Sequence, residues 1–176
     1  MPRLFFAIWP DAAARAALEK LSTQLEARAG GRVVPAEKIH LTLAFLGEVT
    51  PDRADDLVKA ADKVREAPFD LVLDRIGAFR RARVSWIGAS EPAPGLISVE
   101  ATLREALRAR GFELEERPFT PHVTLIRKAD KTLSPEAIEP IAWRVEEIAL
   151  VSSEPGSGAY KTMARWPLKA KRSRKT

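Results

Sequence analysis

Cysteine is absent from this 176-residue chain, and histidine occurs only twice. The first absence excludes disulfides, thiolate metal sites and a cysteine nucleophile. The second leaves too few imidazoles for a typical structural zinc site. Long hydrophobic runs are missing as well. The longest near the start, Leu4 to Trp9, is six residues and is closed by Pro10-Asp11, too short for a secretory leader or a membrane span. With 45% hydrophobic and 30% charged residues, the composition is that of an ordinary globular protein, expected in the cytoplasm and away from membranes. The net charge of +5 is local. The last eight residues carry Lys169, Lys171, Arg172, Arg174 and Lys175 and no acid, so residues 1–168 are neutral overall. Residues 1–168 are therefore read as one bilobal domain and residues 169–176 as a basic, disordered tail.

What is there is a repeat. Each histidine opens a His-x-Thr-Leu tetrapeptide, His40-Leu41-Thr42-Leu43 and His122-Val123-Thr124-Leu125. With nine threonines in the chain, chance places one two positions after both histidines at roughly 0.3%. The copies lie 82 residues apart, near half the chain length, as a duplicated unit would place them. Each follows a helical pattern, a glycine and a proline: Gly31 and Pro35 before His40, Gly111 and Pro118 before His122.

The remaining pattern is strands alternating with helices. A strand is predicted over Arg3–Trp9, then a helix from Ala12 to about Ala29, capped by Asp11 and stopped by Gly30-Gly31. The first motif reads as a strand from Ile39 to Leu46. Thr50-Pro51 starts a second helix running to about Glu66, with Leu57, Ala61 and Val64 inward. Phe69–Asp74 and Val84–Ile87 read as strands on either side of a basic loop containing Arg80, Arg81 and Arg83. Leu96, Val99, Leu103 and Leu107 mark a third helix. Lys128 to Pro140 is polar, with a short helical turn at Ser134-Pro135-Glu136, and Trp143–Val151 and Tyr160–Leu168 are the last strands. The expected fold is α+β: a pseudo-two-fold duplicated unit, antiparallel sheets with flanking helices around a central cleft.

On a strand, His40 and Thr42 share one face while Leu41, Leu43 and Phe45 share the other; His122 and Thr124 repeat the arrangement. Two proton-transfer groups and two hydroxyls around one cleft suit an anion with several oxygens, such as a phosphodiester, and call for no metal, cofactor or nucleophilic side chain. Phe45, Trp86, Phe119 and Tyr160 are candidate stacking faces for a base.

The settings IHLTLAFLGEV and RPFTPHVTLIRK, with RLFFAIWP, VSWIGA and AYKTMARWPL, resemble the two-histidine (2H) phosphoesterase superfamily, and within it the RNA 2′,3′-cyclic phosphodiesterases, also called 2′-5′ RNA ligases. The resemblance spans residues 3–168. It implies metal-independent hydrolysis of a terminal 2′,3′-cyclic phosphate to a 2′-phosphomonoester, with RNA as partner, or 2′-5′ ligation when an RNA hydroxyl replaces water. It also implies roles: His40 as general acid, His122 as general base, Thr42 and Thr124 as phosphate ligands, and Arg127 as a guanidinium fork on the phosphate. Strand parity alone puts Arg127 on the wrong face, so it would have to reach round from the strand end or from a bulge. The alternatives are a cyclic phosphodiesterase for a small nucleotide such as an ADP-ribose cyclic phosphate, and a non-catalytic RNA-end-binding module gripping through the tail and Arg80, Arg81 and Arg83. A monomer is expected.

Overall fold

The computed structural model describes residues 1–170. The chain opens with strand β1 (Arg3–Ile8), followed by helix α1 (Ala12–Ala29). Asp11 caps that helix by accepting from the Ala14 amide at 2.8 Å, and Gly30 ends it at φ 68°, a conformation that favours glycine. A short strand β2 (Arg32–Val33) leads to β3 (Leu41–Glu48), which begins just after His40. Helix α2 (Ala54–Ala61), β4 (Phe69–Phe79), β5 (Val84–Gly88) and α3 (Pro94–Ala109) follow. The second motif strand is β6 (Val123–Arg127), and β7 (Glu136–Val145), β8 (Glu147–Ser153) and β9 (Tyr160–Pro167) complete the chain.

Three expectations need correction. Thr50 makes no side-chain cap; a 3-10 turn, Pro51–Arg53, precedes a helix that is over by Ala61 rather than Glu66. No helical turn forms at Glu136, where β7 begins instead. Its Pro140 is tolerated because β7 is an edge strand, paired only with β4. The strand expected over Trp143–Val151 is two, divided at Glu146: β7 pairs β4 in one half, whereas β8 pairs β1 in the other. Of the basic stretch 169–176, residues 171–176 lie outside the described residues. Among the described residues no helix is long and apolar enough to cross a membrane.

The strand order is β7-β4-β5-β6-β3-β1-β8-β9, antiparallel throughout, with β2 added to β6. This path is two four-stranded halves. They meet at β6 and β3 through one residue pair, Leu41 opposite Val123, and again where Glu146 joins β7 to β8. The halves repeat each other, since β1-α1-β3 corresponds to β5-α3-β6, each with its motif strand inward and its partner strand beside it. Beyond Leu41 and Val123 the motif strands separate. β2 then takes up the free edge of β6, the Val34 amide donating to the Leu125 carbonyl at 2.9 Å.

Most of the buried apolar surface forms one core between the sheet and the helices, including Phe6, Ile8, Leu18, Leu25, Leu41, Leu57, Leu103, Val123 and Trp143. A smaller cluster of Phe5, Ala7, Ala149 and Val151, bordered by Trp9 and Tyr160, covers the opposite face of the sheet. The alternation of β1 accounts for both: Leu4, Phe6 and Ile8 face the helices, and Phe5, Ala7 and Trp9 face away. That outer face is the floor of the cleft.

Candidate active site

Both histidines sit one residue ahead of their strands, and both are anchored the same way. His40 Nδ1 lies 2.6 Å from the Lys38 carbonyl oxygen, and His122 Nδ1 lies 2.9 Å from that of Thr120. A carbonyl only accepts, so Nδ1 carries the proton in each ring and donates it two residues back. Each Nε2 is left with its lone pair. At His40 that atom accepts from the Thr42 hydroxyl at 3.0 Å.

The Leu41–Val123 pair sets the four motif side chains together. Those two residues are fully buried in the core, so their neighbours face the cleft. His40 and Thr42 from one half and His122 and Thr124 from the other therefore share that face, on either side of the seam.

The next residue in each motif is a bulge. In β3 the register with β1 passes from Thr42–Ala7 to Ala44–Phe6 and leaves Leu43 out; in β6 the register with β5 passes from Thr124–Trp86 to Ile126–Ser85 and leaves Leu125 out. Both leucines are buried. A bulge reverses the alternation beyond it. Phe45 therefore pairs with Phe5 on the cleft face, 56% exposed, rather than following Leu43 into the core. Arg127, which simple parity directs away from the site, is turned toward it by the same device. The two residues hold corresponding places, five after each histidine.

Electrostatics agree with that placement. The His40 pKa is held below the ordinary 6.5, first by burial and then by the positive charge of Arg127 and by repulsion from His122 whenever that ring is protonated, against an upward pull from the Lys38 carbonyl. Aromatic rings surround both imidazoles. Around His40 stand Phe5, Tyr160 and Trp9, with ring centroids at 5.0, 5.6 and 5.7 Å. Phe79 meets His122 edge-on at 5.0 Å, and Trp86, opposite Thr124, lies 5.7 Å from Phe79. Lys38 Nζ rests over the Tyr160 ring at 5.1 Å.

Of the stacking candidates, Phe45, Trp86 and Tyr160 are thus on the cleft face, whereas Phe119 packs against the main core. Phe5, Trp9, Lys38 and Phe79 were not singled out from the sequence. The signal for Phe5 and Trp9 was present in the alternation of β1; that for Phe79 required knowing that β4 runs on past Asp74. Trp9 and Tyr160 also wall a cavity of about 400 Å³ whose lining includes Arg15, Glu147 and Arg165 but neither histidine.

The duplication has a counterpart in known proteins. The model of LigT-like phosphoesterases matches residues 8–86 and again residues 87–160. The chain belongs to this family. A protein of Escherichia coli (strain K12) named RNA 2′,3′-cyclic phosphodiesterase is 36% identical over 170 residues, covering 94% of this chain and 96% of its own length. One so named from Thermus thermophilus is 32% identical, covering 98% and 93%. The crystal structure of E. coli LigT complexed with 3′-AMP superposes with a TM-score of 0.82 at 35% identity, over 96% of this chain and 99% of that one. The MHV ns2 PDE domain shares the fold, with a TM-score of 0.55 at 17% identity. This LigT-like phosphoesterase therefore has the α+β, duplicated architecture of its relatives along nearly its whole length.

Proposed function

We propose that the chain hydrolyses the 2′,3′-cyclic phosphate at an RNA end to a 2′-phosphomonoester. The observation that carries the reading is the mirrored pair of imidazoles, each fixed through Nδ1 by a carbonyl two residues back and each leaving Nε2 its lone pair, with the Thr42 hydroxyl on that of His40. The names of its relatives supply the substrate class. In this reading His122 Nε2 takes a proton from water as its oxygen attacks phosphorus. The bond from phosphorus to the 3′-oxygen breaks, and that oxygen leaves with the proton of His40 Nε2. Water is consumed, and the two imidazoles exchange protonation states.

The acid role asks that His40 be protonated although its surroundings favour the neutral ring. Bound phosphate supplies the remedy, since its negative charge offsets that of Arg127 and favours the protonated ring. Protonated Nε2 can no longer accept from Thr42, which frees that hydroxyl to donate to a phosphate oxygen. Thr124 and the Arg127 guanidinium complete the cradle on the other side. Phe45, Trp86 and Tyr160 are flat faces on which the terminal base can stack. Both halves of the site come from one chain, which supports action as a monomer, and an RNA substrate accords with a cytoplasmic enzyme.

The test is an RNA oligonucleotide ending in 2′,3′-cyclic phosphate, incubated with the chain in EDTA. Formation of a 2′-phosphate end by the wild type, lost in both His40→Ala and His122→Ala, is the expected result. Full activity in either variant would refute the paired acid and base.

A further inference from the structure

The bulge that turns Arg127 toward the cleft also sets it against a second arginine. Arg32 in β2 lies directly opposite Arg127 in β6, so the two side chains leave the sheet on the same face. Like charges directly opposite on a sheet are destabilising. Neither has an ion-pair partner among the described residues, although Arg28, Arg53, Arg83, Arg104, Arg144 and Arg165 all do. The approach is built into the backbone: Gly31, at φ 88°, sits so close to the chain after β6 that a Cβ there would come within 2.7 Å of the Arg127 carbonyl oxygen.

The positive charge continues past Arg127. Arg83 and Lys128 are the non-glycine residues with positive φ among those described, at 55° and 54°. They flank one contact, in which the Ala129 amide donates to the Arg83 carbonyl at 2.9 Å and Arg83 Nε donates to the Ala129 carbonyl at 3.0 Å. This contact pins the turn from Arg80 to Arg83 against the end of β6. Arg80, Arg81 and Lys128, all exposed, thereby join Arg32 and Arg127 at one end of the cleft, while the nearby Asp130 is engaged by Arg83. Left-handed backbone at bulky residues has a cost and clusters where function holds it in place.

We propose that Arg32, with Lys128, Arg80 and Arg81, forms a track for the phosphodiester backbone next to the cyclic end, and that it makes the enzyme select an RNA strand over a cyclic mononucleotide. The inference rests on the phosphodiesterase reading above and adds chain length to it. Arg127 contacts the reacting phosphate, and Arg32 takes the next one along the strand. The negative charge of the two bound phosphates is what relieves the repulsion between the two guanidiniums.

The experiment compares a 2′,3′-cyclic mononucleotide with a short RNA carrying the same end, across a salt series, for wild type, Arg32→Gln, Arg32→Lys and the double variant Arg80→Gln/Arg81→Gln. Wild type is expected to show a higher kcat/KM for the RNA, falling more steeply with salt than for the mononucleotide. Arg32→Gln should lower the RNA-to-mononucleotide ratio about fivefold and flatten the salt slope for RNA by about 0.7, one single-strand contact's worth. Arg32→Lys should keep the slope, and the double variant should flatten it further. The melting temperature of Arg32→Gln should equal or exceed that of wild type, which a merely structural arginine would not give. If both substrates are turned over with the same salt slope, or Arg32→Gln lowers both equally, the track is overturned and the phosphodiesterase reading stands. If wild type turns over neither, both are overturned.

Discussion

Leu41 faces Val123 across the seam between the two halves, and each is the residue that follows a motif histidine. The contact lies where the two repeated halves meet, and much of the site follows from it. It buries two apolar side chains and turns the flanking His40, Thr42, His122 and Thr124 to the other face. The two bulges then repeat on either side of it, at Leu43 and Leu125. The symmetry stops at the fifth residue after each histidine, an aromatic ring in one half and a guanidinium in the other. Arg127 and Phe45 thus give the cleft a charged end and an apolar end.

The first prediction concerns pH. Burial, Arg127 and His122 lower the His40 pKa below 6.5, so near neutrality the free enzyme holds this ring mostly uncharged. Bound phosphate favours the protonated ring. Since kcat/KM reports the free enzyme and kcat the complex, both profiles should be bell-shaped, with the alkaline limb of kcat at higher pH than that of kcat/KM. Titration of the His40 ring by NMR, with and without inorganic phosphate, checks the cause directly. For folding the sign is the reverse of a salt-bridged histidine. The unfolded chain takes up the His40 proton first, so this contribution is intact above pH 6.5 and declines as pH falls toward the lower folded value.

Arg127→Gln is expected to act twice. Removing a charge-assisted contact to phosphate should reduce kcat/KM by roughly 10- to 100-fold. Removing its positive charge should also let the His40 pKa rise, because that charge is among the groups holding it down. A loss of activity with no movement of the His40 titration would mean that Arg127 lies too far from the ring to share its site.

The limits of α1 and its Asp11 cap were legible because both depend on residues within a few positions of one another. The doubled motif was legible for a similar reason. The two bulges were not, since nothing in His-x-Thr-Leu marks Leu43 or Leu125 as unpaired; that is decided by where β1 and β5 lie alongside. The faces of Phe45 and Arg127 were consequently hidden, although both residues were already candidates. The strand β7 was obscured by its own composition. Pro135, Pro140 and three glutamates between Glu136 and Glu146 read as loop, and only the pairing of Trp143 with Leu71 and of Val145 with Phe69 makes an edge strand of them.

Phe45 and Leu43 offer a paired test of the first bulge. Leu43 is 4% exposed and Phe45 is 56% exposed, although they are two residues apart on one strand. Leu43→Ala should therefore destabilise the fold by about 2–5 kcal/mol, as buried leucines do. Phe45→Ala should leave stability within about 0.5 kcal/mol and weaken the RNA substrate by an amount typical of one base stack, about 1–3 kcal/mol in kcat/KM. Denaturant melts and steady-state kinetics of the two variants separate the outcomes. Equal destabilisation would mean that the strand keeps its alternation and Phe45 belongs to the core.

Gly77→Ala tests the other wall of the cleft. Gly77 lies opposite Trp86, and a Cβ placed on it would overlap the indole ring, whose edge also covers Gly88. The glycine is needed for space here rather than for backbone conformation, as its φ is not positive. The added methyl has to push Trp86 off the sheet, away from Thr124 and from Phe79, which contacts His122. Overpacking of this kind costs about 1–3 kcal/mol of stability. Because Trp86 stands beside the second motif, kcat/KM should fall along with the melting temperature. Adding Trp86→Leu to Gly77→Ala removes the clash and should restore most of the stability, while the RNA substrate still binds less tightly for want of the ring. Recovery of both properties together would show that Trp86 serves only to fill space.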